Sequence, residues 1–429
     1  MKCNLSLFKN KSFLFFFFAA LFGVLGEGIY GLIVIVMVLE KTESVIEIGK
    51  MLVLTLLPSV FLAPFLGVFI DRFNKNKLAL LCNLLRFATI AIIPVSVAFG
   101  FFYVTIFYAS ILLSYMIWFV IEPLKESILK EILSSEDYKQ GISLVQGAWQ
   151  LGLLSSAIIA GMLIDRLGTS EAIFAASLVY ILAGFLFVGI HNKGDKEASD
   201  RKGKSSLKQY RVELVQGWIY IFQNKKVLYV SLATSMVLPF FYSINTLIAP
   251  FNYQTLNGDG ISLGIIDSGA GIGSLVSAIV CTLWVRNHTI SKVVLAAILL
   301  TAVSTTLFSF TISVPSAFFL YLLIGMFIGM VKVLTRLLLF EQVEEQFIGR
   351  VMTSVSFISL AGSIILSLLI AFIGEVSLRY GYLAISMILL IPFVLTWKGT
   401  KSMIVGAPSI KIIQEKEKES EKGSEVFDA

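Results

Sequence analysis

Glu27 is the only charge between Phe13 and Leu39, and Gly23, Gly26, Gly28 and Gly31 stand around it. An ionisable group at the centre of a membrane span costs about 2.5–3.5 kcal/mol, so its presence points to function. Buried there, a carboxyl can take up and release a proton, while the glycines let neighbouring helices come close. The structural alternative is a neutral Glu hydrogen-bonded to another helix. Asp267 lies a short way inside a second apolar run. It could carry a proton, attract a cationic solute, or only cap or pair locally. Arg86 is about eight residues into its run, near enough to the end for its stem to snorkel outward. Lys332 and Arg336 are four apart, on one helical face, and Glu122 just before Pro123 has a similar depth. Counted from Tyr103 and Ser316, the three charges lie within about 6 Å of one another in depth. They can form a latch that closes one end of the molecule, or each can pair locally, with Lys125, Glu126 or Glu341 at hand.

A charged loop follows the second apolar run and holds Gly67, Asp71, Arg72, Asn74, Lys75 and Lys77. Gly67 admits a close helix, Asp71 can accept from the free amides of the next helix, and Asn74 can take a left-handed turn. The pattern recurs as Gly161, Asp165, Arg166 and Gly168 after the fifth run, on the opposite face. That echo suggests three-helix units of inverted topology; the plainer reading is chance, since Gly, Asp and Arg are common at membrane borders. The matching loop of the second half, Arg286 to Lys292, keeps basic residues and lacks the Asp.

The elements that must position these residues are membrane helices. The 429 residues are 57% hydrophobic and 14% charged, and mean hydropathy is +0.87; a soluble globule is about 25% charged. Repeated apolar runs long enough to cross a bilayer mean that the backbone is satisfied inside helices. The net charge of +6 sits in loops on one side, which fits membrane orientation better than nucleic-acid binding. Cys3, Cys82 and Cys281 form no close pair, and His191 and His288 stand at loop edges. No disulfide framework, metal site or cofactor is expected. A Gly-x4-Gly-Lys-Ser/Thr loop is missing, which argues against ATP coupling.

The fold class is therefore an all-α polytopic membrane protein. Its twelve spans are expected near 12–39, 46–70, 78–101, 103–128, 138–164, 170–190, 226–253, 262–285, 290–312, 316–340, 350–374 and 379–397. Residues 1–190 make one six-helix bundle, 191–225 a linker, 226–397 a second bundle and 398–429 a charged, disordered tail. Lys and Arg gather on the side that holds both termini, which makes that side the cytoplasm. In the linker, Leu214, Val215, Trp218, Ile219 and Phe222 recur at helical spacing, as in a helix lying on the membrane surface. Some of the 35 Phe, 14 Tyr and 5 Trp will line an apolar cavity.

The loop of Gly67, Asp71, Arg72, Lys75 and Lys77 resembles the signature between the second and third helices of the major facilitator superfamily. It departs at Asn74, where the family has Gly, and at Asn76. Further matches run along the chain: Leu57, Pro58 and Pro64; Gln223 to Lys226; Pro239, Ile244, Asn245 and Pro250; Phe340 to Gln342 with Gly349, Arg350 and Val351. They are similar to the bacterial macrolide-efflux and siderophore-exporter type group. The resemblance implies two six-helix bundles rocking about a midplane site, as a monomer in the bacterial plasma membrane. It implies proton-coupled export of a hydrophobic or amphiphilic small molecule, with protons and the lipid bilayer as partners. Two departures bear on direction. There is no Arg between Phe102 and Ile121, and the fifth helix keeps Gly147, Gly152 and Gly161 without the usual Pro. Import by the same fold, and a non-transporting sensor or scaffold, are the alternatives; an enzyme lacks a catalytic cluster.

Overall fold

The computed structural model describes residues 5–62, 70, 73–100, 104–191 and 207–404. Among them the chain is helical. The first half comprises α1 (Lys11–Thr42), α2 (Val45–Leu62), α3 (Lys75–Ala98), α4 (Val104–Ile132), α5 (Ser135–Leu167) and α6 (Thr169–Val188). The linker carries α7 (Leu207–Gln223). The second half comprises α8 (Lys225–Ser235), α9 (Val237–Pro250), α10 (Gly260–Asn287), α11 (Ile290–Ser309), α12 (Val314–Gln342), α13 (Ile348–Val376), α14 (Leu378–Ile388) and α15 (Leu390–Ile404).

Eleven of the described stretches are long and apolar enough to cross a membrane, with α8–α9 and α14–α15 each forming one span. The twelfth is α2, 18 residues that run into undescribed positions. The chain is a multi-pass membrane protein. The breaks in the two composite spans have one cause: Pro239 and Pro392 lack the N–H that would reach back to residues 235 and 388. The last helix continues through Lys398 to Ile404, past the expected start of the tail.

Local chemistry sets the helix ends. Asn10 accepts from Ser12 N and Phe13 N to start α1. Asn74 starts α3 by accepting from Lys77 N at 3.1 Å, in an extended backbone with φ −64°. The expected left-handed turn at Asn74 is thus replaced by an N-cap, a role that asparagine's side chain fills well. After α5 the chain reverses at Gly168, whose φ of +83° favours glycine.

The two halves meet unevenly. Call the end at which α1 begins and α7 lies the linker end, and the other the hairpin end. One hydrophobic core spans both halves toward the hairpin end, joining Ile29 to Leu39 of α1 with Leu247, Phe251, Phe308 and Tyr382. Toward the linker end it divides. Phe13, Phe16, Leu78, Leu124 and Phe187 pack within the first half; Val227, Val294, Met330, Leu334 and Val351 pack within the second. The halves are closed together at the hairpin end and separate at the linker end. Helix α7 docks on α13: Gly217 lies so close that an added Cβ would sit 2.3 Å from Arg350 O. Tyr220 stacks on Phe347 with ring centroids 4.4 Å apart. Val215, Trp218, Ile219 and Phe222 remain exposed, so the expected apolar stripe exists while a second face grips protein.

Candidate functional site

Glu27 is not alone. Its carboxylate pairs with Arg86 of α3, whose side chain is 2% exposed against 19% for Glu27. Arg86 was expected to snorkel; instead it is buried, because everything around it is matched to a cation. The Ser114 hydroxyl of α4 accepts from Nε and an Nη of Arg86 at 3.4 Å. The Tyr180 ring of α6 lies 4.2 Å from the guanidinium carbon, a cation–π distance. The Tyr180 hydroxyl in turn donates to Glu27 at 3.5 Å. Four helices of the first half thus converge on one ion pair, at the level where the common core divides.

The glycines beside Glu27 explain the convergence. A Cβ on Gly26 would press on the Tyr180 ring at 3.2 Å, so Gly26 seats α6. A Cβ on Gly28 would fall 1.9 Å from Ser156 Oγ, so Gly28 seats α5. Gly23 has nothing within 4 Å. It borders a small cavity lined by Asn83, Arg86, Trp118, Glu122 and Lys125 on the linker-end side of the pair.

The remaining sequence candidates are spread out. Asp267 lies on α10 in the stripe of Gly260, Gly264 and Gly271, which abut Gly161, Ala157 and Leu154 of α5. It is half-buried and makes no hydrogen bond or ion pair among the described residues; Tyr321 of α12 is within electrostatic reach. Glu122 pairs with Lys125 at 2.6 Å, as in the local alternative. Lys332 and Arg336 are exposed, Arg336 lying 5.4 Å from the Phe340 ring. Among the described residues the ion-pair partner of Glu122 is Lys125 and neither of these cations, so the latch is not formed with the linker end apart. Gly67, Asp71 and Arg72 of the charged loop lie outside the described residues. Lys75 pairs with Glu131 of α4, and Lys77 is exposed. Asp165 accepts from Gly260 N and Ile261 N, both at 2.8 Å; Arg166 is exposed. No group of three His, Cys, Asp or Glu that could hold a metal occurs among the described residues.

Sequence reasoning missed the partnership of Glu27 with Arg86. No sequence signal marked it: that Asn83, Arg86, Ile90 and Ile93 share a buried face of α3 is seen only once the helices are packed. Sequence reasoning also missed Glu375, which binds the first amides of α2 from α13.

Comparison with known proteins agrees with this architecture. An "Uncharacterized MFS-type transporter YkuC" of Bacillus subtilis (strain 168) is 25% identical over 250 residues, 55% of this chain and 54% of that protein. The match thus spans about half the length of that relative. A solved nucleoside transporter, NupG in a point-mutant form, superposes with TM-score 0.70 at 12% identity, covering 92% of this chain and 99% of that one. A bacterial homolog to human lysosomal transporter Spinster, in an inward-facing and occupied conformation, gives TM-score 0.71 at 10% identity, covering 91% and 96%. At these identities the likeness concerns the fold. Residues 16–254, more than half of the sequence, match the family itself, and with twelve spans in two halves the chain belongs to the Major Facilitator Superfamily.

Proposed function

We propose that this chain is a proton-coupled secondary transporter that exports a hydrophobic or amphiphilic small molecule across the bacterial cytoplasmic membrane. The observation that carries the reading is the Glu27–Arg86 pair, buried at mid-helix depth where the two halves part. Replacing buried charges by apolar groups is often neutral or stabilising, so a pair kept there asks for a function. With Glu27 neutral, Arg86 would be left as an unpaired buried cation. Protonation is therefore tied to a state in which Arg86 is hydrated or meets another anion. A proton entering from outside drives that change, and the return to the paired state releases it to the cytoplasm. Asn83, Glu122 and Lys125, which line the small cavity beside Arg86, mark the side toward which the proton leaves. The linker end faces the cytoplasm, as its basic residues suggest, and the closed hairpin end faces outward. In this state cytoplasmic solute can enter between the halves.

The other candidate residues take supporting parts. Asp71 and Arg72 stabilise the state closed to the cytoplasm, and Glu122 meets Lys332 or Arg336 when the linker end closes. Asp267 contributes a second carboxylate near the seam between the halves. The protein works as a monomer in the bilayer, with residues 1–190 and 226–397 as its moving bodies. Import is the second reading, favoured by the lack of an Arg in α4 and of a Pro in the glycine-rich part of α5. The experiment is a dye and drug screen in everted vesicles with an imposed pH gradient. Export predicts gradient-dependent accumulation inside the vesicles; loss of preloaded solute instead would indicate import, and no gradient-dependent flux of any compound would remove the coupling claim.

A further inference from the structure

Two carboxylates cross between the halves at the hairpin end, and they do so reciprocally. Asp165, at the end of the fifth span, accepts from Gly260 N and Ile261 N at 2.8 Å each, the first amides of the eighth span. Glu375, at the end of the eleventh span, accepts from Val45 N at 2.6 Å, Ile46 N at 3.1 Å and the Ser44 hydroxyl at 3.2 Å. Those are the first groups of the second span. Fifth and eleventh, and second and eighth, are equivalent places in the two halves. Each half therefore lends a carboxylate to the start of a helix in the other.

These contacts are more than helix caps supplied by convenience. Helix α10 already has its own cap, because Asp259 accepts from Ser262 N at 2.8 Å. The amides left over are those that Asp165 takes. At α2 the Thr42 hydroxyl serves Ser44 N, and Glu375 takes the next two. The first amides of a helix carry partial positive charge and have no partner within the helix, so a carboxylate suits them. Glycines bring the backbones close enough for it. A Cβ on Gly161 would lie 2.3 Å from Gly260 O, one on Gly264 2.4 Å from Ala157 O, and one on Gly49 2.6 Å from the Ala371 Cβ.

We propose that Asp165 and Glu375 are the two positioning residues of a reciprocal latch that holds the hairpin end shut. Opening that end separates α5 from α10 and α13 from α2, so both carboxylates must release their amides to water together. The latch rests on the alternating-access reading above, but its test needs neither substrate nor gradient. A spin label is placed in each half near the hairpin end, at the exposed positions Met162 and Ile312, in a chain with Cys3, Cys82 and Cys281 replaced. Distances are read by pulsed electron resonance in lipid nanodiscs. The parent should show mainly the short distance. Asp165→Ala and Glu375→Ala should each raise the ratio of long to short by about 2- to 30-fold, the range expected for losing a helix cap. The double variant should approach the product of the two. Asp165→Asn and Glu375→Gln, which keep the shape, should shift the ratio in the same direction by less. They also serve as the decisive variants if the Ala forms do not fold. A purely structural cap would lower the melting temperature without moving the distance ratio, and a folded double variant with the parent's distribution overturns the latch. Failure of transport in the vesicle screen, with the distances shifted as stated, would count against the transport reading and leave the latch standing.

Discussion

The first half places a matched pair of charges at membrane depth, while the second places an unmatched one. Glu27 and Arg86 cancel each other inside a shell of Ser114 and Tyr180. Asp267 has no hydrogen-bonded or ion-paired partner among the described residues. In place of a polar shell, the second half holds a cluster of rings in tilted and edge-to-face contact, Phe251, Phe308, Tyr321 and Tyr382, with centroids 4.8–5.6 Å apart. The difference teaches where the fold depends on charge. Removing one member of a buried pair strands the other, whereas removing a lone half-buried carboxylate strands nothing.

The largest effect that would break this comparison is expected at Arg86. Arg86→Met should destabilise the protein by about 3–5 kcal/mol, read as a lower melting temperature in detergent. Glu27→Gln combined with Arg86→Met should recover most of that loss, because no charge then remains unpaired. A single variant as stable as the parent would mean that Glu27 is not held by Arg86.

Packing gives the next test, and it sharpens the contrast between halves. Gly28→Ala should cost about 1–3 kcal/mol by collision with Ser156, and Ser156→Gly should relieve it, since the obstacle is a side chain. Gly273→Ala in the second half meets Leu322 O at 2.0 Å. Its cost should be at least as large, and no side-chain truncation should rescue it. Gly23→Ala, with open space around it, should stay within about 0.5 kcal/mol of the parent. Below the two collisions but above Gly23→Ala, Tyr180→Phe loses a 3.5 Å hydrogen bond to Glu27 and keeps the ring over Arg86, so about 0.5–1 kcal/mol is expected. The smallest change belongs to Asp267→Asn, which should leave the melting temperature unchanged or raised. A marked loss there would mean that Asp267 has a partner after all.

Much of the fold was legible because membrane helices declare themselves by length and composition. Glu27 was legible for the same reason, as a charge where none belongs. Its partner was not, because depth along a helix does not say which way a side chain turns. Arg86 was near enough to an end to snorkel, and only the packing of α1, α4 and α6 around it shows that it turns inward. The pairing of Glu122 with Lys125 was one of two open readings, since partners across the halves depend on which end is closed. Asp165 drew attention through its echo of the charged loop, yet its partner lies 95 positions away. Glu375 has no such echo and looked like any border carboxylate.

The central claim is that the buried Glu27–Arg86 pair ties proton movement to transport. Glu27→Gln in everted vesicles, with a solute from the screen and an imposed pH gradient, tests it most directly. The expected result is that gradient-driven accumulation falls to background while downhill flux of the same solute persists. Uphill accumulation at the parent's rate in a folded Glu27→Gln protein would contradict it.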